Sequence, residues 1–327
     1  MNRKYRNAAI LLVIGTIAVV LPSFLISAGV IDEYTAQILT LAGINAIIAM
    51  SLNLISGICG QLALGHAGFM AIGAYTAAVF TMKAGIPMPA AILSAGFVSA
   101  LFGMVIGYPT LKLSGDYLAI VTLGFGEIIR VVMTNLKSIT GGAAGLKGVP
   151  NFTKDILAQP TVSFAIVTGT LVLVLAGLTN FLVSSYGRAI ISIREDQIAA
   201  SSNGIPVFRY KMIAFTISAF MAGIAGGLYA FFFGYLNPTM FTFLKSVDFL
   251  IIVVLGGMGS ITGTIIASYV LTYLQELLRF LKDYRLVIYP LILILIMLFR
   301  PKGLLGRAEL SFVGLYDRIR NRREVRK

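Results

Sequence analysis

Hydrophobic positions in this chain do not alternate with polar ones. They run on for about a helix's worth of residues at a time, with short polar gaps between. The apolar runs fall at 8–30, 37–56, 61–82, 89–111, 117–136, 161–184, 209–234, 247–258, 260–280 and 285–300. A bilayer core of about 30 Å is crossed by about 20 apolar residues in a helix. Inside lipid every backbone N–H and C=O must be paired, and the runs lack the period-two pattern of a barrel strand. The pattern therefore predicts an all-α integral membrane protein, a polytopic helical bundle of about ten transmembrane helices. Eight is the alternative count, because 247–258 is short for a crossing and suits a re-entrant segment. No polar block is long enough to fold separately, so residues 1–327 read as a single membrane domain with its bundle over 8–300.

Composition agrees: 58% of residues are hydrophobic and 12% charged, where soluble domains are nearer half and a quarter. The net charge of +13 is explained by Lys and Arg retained on the cytoplasmic side rather than by nucleic acid. An N-terminus in the cytoplasm puts Arg3, Lys4, Arg6, Lys112, the 185–208 loop and the basic tail 301–327 inside, so both termini are expected there. The 137–160 loop, with Lys137, Lys147 and Lys154, lies outside. The 8–30 run is longer than a signal core and reads as a retained helix. The single cysteine, Cys59, forms no intrachain disulfide.

Two runs carry small residues at helical spacing: Ala63, Ala67, Ala71, Ala74 and Ala78, and then Ala219, Gly223, Gly227, Ala230 and Gly234. Such stripes let backbones approach closely in lipid. Ala67, Ala71, Gly223 and Gly227 are the candidate packing positions; a wall that slides or opens is the functional alternative. Breakers at Gly57–Gly60, Gly65 with Gly68, Pro109, Gly124 with Gly126, and Gly256–Gly259 interrupt the spans. Broken helices are candidates for a substrate path.

One polar stretch stands between two greasy ones: REDQIAASSNGIP, Arg194–Pro206. Ser192-Ile-Arg-Glu195 has the form of a capping box, and Gly204 followed by Pro206 has the form of a helix stop. The spacing predicts a helix of about eleven residues over 192–204, roughly 16 Å long and too polar to span. Its low-profile Ala199, Ala200, Ser201 and Ser202 suit a groove on another protein. A surface-lying connector is the plainer reading.

From Arg188 through Pro206 and on through FRYKMIAFTISAFMAGIAGGLYA, the sequence resembles the membrane permease of branched-chain amino-acid ABC transporters, of the LivM type. SLNLISGICGQLALGHAGFMAIGAYTAA, LSGDYLAIVTLGFGEIIRVV and LGGMGSITGTIIA extend the resemblance over nearly the whole chain. It implies that 192–204 is a cytoplasmic coupling helix docking on an ATPase subunit through Ser192, Arg194, Glu195, Ala199, Ala200 and Gly204. The family's usual acidic residue after the alanine pair is replaced here by Ser201-Ser202-Asn203. The resemblance further implies two ABC ATPase subunits, a second related permease subunit, an external substrate-binding protein and a bacterial inner-membrane location. No cofactor is expected in this chain; ATP and Mg would be bound by the partners.

Within the spans, Glu127 and Arg130 share a helix face, where they either line the path or form an interior ion pair. Asn53, Gln61, Gly65 and His66 cluster at a predicted helix break. They read as cavity-bordering groups or as hydrogen-bonded structure. One histidine without a second ligand is a poor metal site, so no metal is expected. GGAAGLKG (141–148) lacks phosphate-loop spacing, Leu113–Asp116 abuts a span, and no Walker motif or catalytic triad occurs, so the chain is expected not to be an enzyme. Three alternatives remain open at this point: an ion-coupled secondary transporter using Glu127 or Asp116, a passive channel, and a urea or amide ABC permease.

Overall fold

The computed structural model describes residues 19–113, 115–150, 160–300 and 303–306. The predicted start of the first run, the basic residues Arg3, Lys4 and Arg6, Lys154 and most of the tail lie outside the described residues. Residues 19–27 are helical.

Two helices form the centre because they are apolar on every side, which in a bundle means burial all round. The first, α1 (Glu33–Asn53), is started by Asp32, whose carboxylate accepts from the Thr35 N–H at 3.2 Å and its hydroxyl at 2.7 Å. It is buried continuously from Ala42 to its end, then widens into a π turn over Leu54–Ile58. The second is α8 (Val207–Phe233). Around them stand α2 (His66–Ala84), α3 (Met88–Thr110), α4 (Asp116–Asn135) and α5 (Pro160–Val183). Two short helices follow α5, namely α6 (Ser185–Glu195) and α7 (Gln197–Ser202). After α8 come α9 (Phe243–Gly256), α10 (Ile261–Leu277) and α11 (Arg285–Phe299). Helix α8 packs on α2 and α3; α1 packs on α10, α5, α8 and α9.

The small-residue stripe of α8 sits where three helices meet. A Cβ on Gly226 would lie 2.1 Å from the Met70 carbonyl oxygen in α2, and one on Gly73 only 2.3 Å from the Gly223 oxygen. On the other side, a Cβ on Gly223 would lie 2.5 Å from the Ala95 oxygen in α3, while Gly227 faces Ala77 and Ala95 at 3.4 Å. The Ser99 hydroxyl donates to the Phe69 carbonyl at 2.9 Å across the α3–α2 contact. Ala71 is buried, and Ala67 meets α9 through its N–H, which donates to Ser246 Oγ at 3.0 Å.

At one end of the bundle a two-stranded ribbon, β1 (Leu146–Lys147) with β2 (Tyr235–Leu236), ties the α4–α5 connection to the end of α8. GGAAGLKG belongs to this tie: it forms a tight turn and β1. At the opposite end, α9 and α10 meet in the Gly257–Ser260 turn, and residues 303–306 lie along it, Leu304 N donating to the Leu255 oxygen at 2.7 Å.

Among the described residues, six helices are long and apolar enough to cross a membrane: Glu33–Ile58, α3, α4, α5, α8 and Ile261–Leu281. The chain is an all-α membrane protein. Two predicted spans change shape. Residues 61–65 of the 61–82 run are not helical, and α2 starts only at His66. The short run at 247–258 is helical from 243 to 256, 14 residues or about 21 Å, less than a bilayer core. Pro109 lies in the last turn of α3, which ends one residue later; Gly124 and Gly126 leave α4 unbroken.

Candidate functional site

The polar stretch after α5 does not form the single 192–204 helix that its spacing suggests. It folds as two helices with a corner at Asp196, whose backbone is extended (φ −156°, ψ 111°). The expected capping box at Ser192 is absent: Ser192 lies in the last turn of α6 and donates its hydroxyl to the Ala189 oxygen at 2.8 Å. The caps are Ser184 for α6 and Asp196 for α7, the latter accepting from Ile198 N at 2.8 Å and Ala199 N at 2.9 Å. A carboxylate accepts two orphan N–H groups at a helix N-terminus better than a hydroxyl accepts one, so Asp196 wins. The predicted stop holds in form: Gly204 adopts φ +79°, Ile205 N reaches the Ala200 oxygen at 3.1 Å, and α8 begins after Pro206.

This corner is anchored to the bundle from two sides. Arg194 Nη1 donates to the Gly57 carbonyl at 3.0 Å, in the π turn of α1. Lys211, buried in α8, donates from Nζ to Gln197 Oε1 at 2.8 Å. Ala200 is also buried within the chain, so it is not available to a partner. What the corner presents outward is Glu195, Gln197, Ala199, Ser201, Asn203, Gly204 and above all Ile198, 81% exposed. A lone, exposed isoleucine on a polar helix pair is the most apolar feature of this surface.

Beside the anchor lies the interrupted stretch between α1 and α2. Asn53 is fully buried and its amide fully engaged. Oδ1 accepts from Gly259 N at 2.8 Å; Nδ2 donates to the Ser260 oxygen at 2.9 Å and Thr264 Oγ1 at 3.0 Å. It is a strap between α1 and α10 rather than a cavity wall. The non-helical residues are pinned by Leu64 N donating to Thr122 Oγ1 at 3.0 Å and Gln61 N to the Ile55 oxygen at 2.9 Å. Gly65 is pressed on α4, where a Cβ would stand 2.3 Å from the Thr122 oxygen. His66, buried, faces Ser218 at 2.9 Å. Ser218 donates to the Ser51 oxygen at 2.6 Å, so its proton is committed and His66 Nε2 must be the donor. This is a chain of hydrogen bonds joining α2, α8 and α1. Two atoms here, His66 Nδ1 and Gln61 Oε1, are buried without a hydrogen-bond partner among the described residues.

Glu127 and Arg130 are paired, Arg130 Nε to Glu127 Oε2 at 2.7 Å, both about a third exposed. Glu127 Oε1 also accepts from Phe243 N at 3.1 Å. A carboxylate at the first turn of α9 is favoured by the helix dipole. Glu127 borders a narrow crevice with Ala67, Gly126, Thr242 and Ser246, and α4 otherwise shows Tyr117, Ile120 and Ile128 to the outside. Because Glu127 serves both Arg130 and α9, a double-mutant cycle with Glu127→Ala and Arg130→Ala should be non-additive by about 0.5–3 kcal/mol. Thermal stability of the two single variants and the double variant in detergent reads this out; additive losses would remove the pair.

Sequence reasoning missed Asp196, Lys211 and Ser218. A lysine inside the 209–234 apolar run was the available signal, since an intramembrane charge calls for a named partner. Among the described residues no group of three His, Cys, Asp or Glu is placed to hold a metal.

The comparisons with known proteins agree in kind. A family model described as "Branched-chain amino acid transport system / permease component" matches residues 34–299. The chain is 39% identical to the high-affinity branched-chain amino acid transport system permease protein LivM of Salmonella typhimurium, over 88% of this chain and 72% of that protein. Against LivM of Escherichia coli the identity is 38%, over 86% and 71%. Against the permease protein LivH of Escherichia coli it is 29%, over 84% and 95%. No solved structure gives a significant match.

Proposed function

We propose a mechanism from one premise: the chain belongs to the family of permease components of branched-chain amino acid transport systems. It is a multi-pass membrane permease of an ATP-driven importer for branched-chain amino acids, and it is not itself an enzyme. The relatives favour this reading over an ion-coupled transporter and over a urea or amide permease.

The finer assignments rest on physical arguments. The α6–α7 corner is the cytoplasmic coupling element, supported by its exposed polar outline with Ile198 at the tip and by its two anchors. It takes the nucleotide-dependent movement of one of two ATPase subunits, which bind ATP and Mg. The Gly57 and Gly257–Ser260 turns lie at the same end, and the ribbon end is external, in keeping with the distribution of basic residues. About ten crossings, with α9 as a short one, place both termini and the basic tail inside a bacterial inner membrane. Helix α4 carries an ion pair among exposed apolar residues. Charges facing lipid are costly, so this face lines the path shared with a second, related permease, LivH being the example among the relatives. An external binding protein delivers the amino acid to the ribbon end.

The single observation that carries the coupling assignment is the tether from the corner to the broken end of α1. A ligand shifts a two-state equilibrium only through contacts that differ between the states, and the corner is where nucleotide-dependent contacts reach the bundle. Leucine uptake into proteoliposomes holding the full complex tests the class. It should require ATP on the side of the corner and survive dissipation of ion gradients. Uptake that persists without ATP and stops when the gradients collapse would overturn the reading.

A further inference from the structure

We infer that Arg194 is the positioning residue that hands movement of the α6–α7 corner to the interrupted stretch between α1 and α2. Its role is inward, to its own chain, rather than toward an ATPase. The inference rests on the importer reading above.

The geometry is specific. The Arg194 side chain is 20% exposed, against 56% for Glu195, so the guanidinium is turned into the protein. Nε and Nη2 are held by Glu195 Oε1 at 3.1 and 2.6 Å, which fixes the plane of the fork and leaves Nη1 for the Gly57 carbonyl at 3.0 Å. Two glycines make room for it: a Cβ on Gly259 would lie 2.9 Å from Nη1, and one on Gly60 would lie 3.0 Å from Arg194 Cγ. A third, Gly57, is pressed on Gly259 N, which a Cβ would meet at 2.3 Å. Asn53 closes the set by holding Gly259 N. One side chain therefore touches the π turn of α1, the residue that opens the non-helical stretch, and the α9–α10 turn. A planar, always-charged fork is suited to holding a carbonyl in a fixed direction. Lysine keeps the charge and loses the fork.

A π turn is a helix segment with one residue too many for its hydrogen-bond ladder, and such turns collect at functional positions. Here the ladder past the turn is thin: Cys59 N reaches the Leu54 oxygen at 3.0 Å and Gln61 N the Ile55 oxygen at 2.9 Å. Pulling on the Gly57 carbonyl shifts those two bonds first. They head the stretch that ends at Gly65 against α4, beside Glu127.

The test uses the assembled complex in nanodiscs. Amide hydrogen exchange is compared with ADP and with ATP plus vanadate, and uptake per ATP hydrolysed is measured in proteoliposomes. In the wild type the 59–61 amides change their exchange together with 197–204. In Arg194→Gln the 197–204 response stays, the 59–61 response is lost, and uptake per ATP falls by about tenfold, as expected when a charge-assisted contact is removed. Arg194→Lys restores part of the ratio. Arg194→Gln with an unchanged ratio and an intact 59–61 response overturns the inference. If Arg194→Gln fails to assemble, the wild-type exchange decides: nucleotide response at 197–204 with none at 59–61 overturns the link alone. Silence at both segments overturns it together with the importer reading.

Discussion

A Gly226→Val chain will fail to accumulate in the membrane. The added Cβ would stand 2.1 Å from the Met70 oxygen and 2.8 Å from Ala74 N, and both are backbone atoms that no rotamer change can move. The remedy is to part α2 from α8, and that contact also holds Gly73 against Gly223. Ordinary overpacking costs about 1–3 kcal/mol. Separating two helices whose attraction in lipid is mainly close packing costs more, because the contacts along the whole interface weaken with distance. Membrane-fraction yield and gel-filtration profile measure the outcome. A wild-type yield of monodisperse protein would show that the α2–α8 contact is looser than the structure has it. Gly169→Ala, in α5 with nothing within 4 Å of its Cβ, serves as the tolerated comparison.

Gly204→Leu is expected to separate ATP hydrolysis from uptake while the protein still inserts. Position 204 is exposed, with open space around a Cβ, and has φ +79°. A leucine there carries a left-handed penalty of about 1–2 kcal/mol and projects four carbons onto the surface that the α6–α7 corner offers a partner. Asparagine tolerates the left-handed position, so Gly204→Asn isolates the backbone effect and should retain most of the coupling. Uptake per ATP hydrolysed, measured on reconstituted complexes, should fall by about tenfold or more for leucine, a change of about 1.4 kcal/mol in the coupled equilibrium for each factor of ten. Normal coupled uptake in Gly204→Leu would remove the corner from the docking surface.

The parts of this molecule that were readable from the residues are those governed by local physics. Apolar runs gave the helices because lipid leaves the backbone no other partner. The Ala219–Gly234 stripe announced a close contact, because glycine at helical spacing has few other uses in a membrane. Glu127 and Arg130 meet as their spacing requires. What escaped was decided by partners far along the chain. Ser192 has the local form of a cap, yet Asp196 takes that role, and the corner that it starts is held by Arg194 on Gly57, 137 residues away in the chain. Ala200 looked like a docking position and is buried, facing its own bundle. Asn53 and His66 read either as cavity-bordering groups or as hydrogen-bonded structure; Asn53 straps α1 to α10, and His66 belongs to a hydrogen-bond chain through Ser218 to Ser51. In each case the side chain's own chemistry was legible and its partner was not, because the partner comes from another helix.

The most direct test of the account is a photo-crosslinker at position 198, the most exposed apolar site of the α6–α7 corner, in the complex purified with its partners. The account predicts a crosslink to an ATPase subunit whose yield changes between ADP and ATP with vanadate. Crosslinks to lipid or to the external binding protein alone, with none to an ATPase in either state, would contradict it.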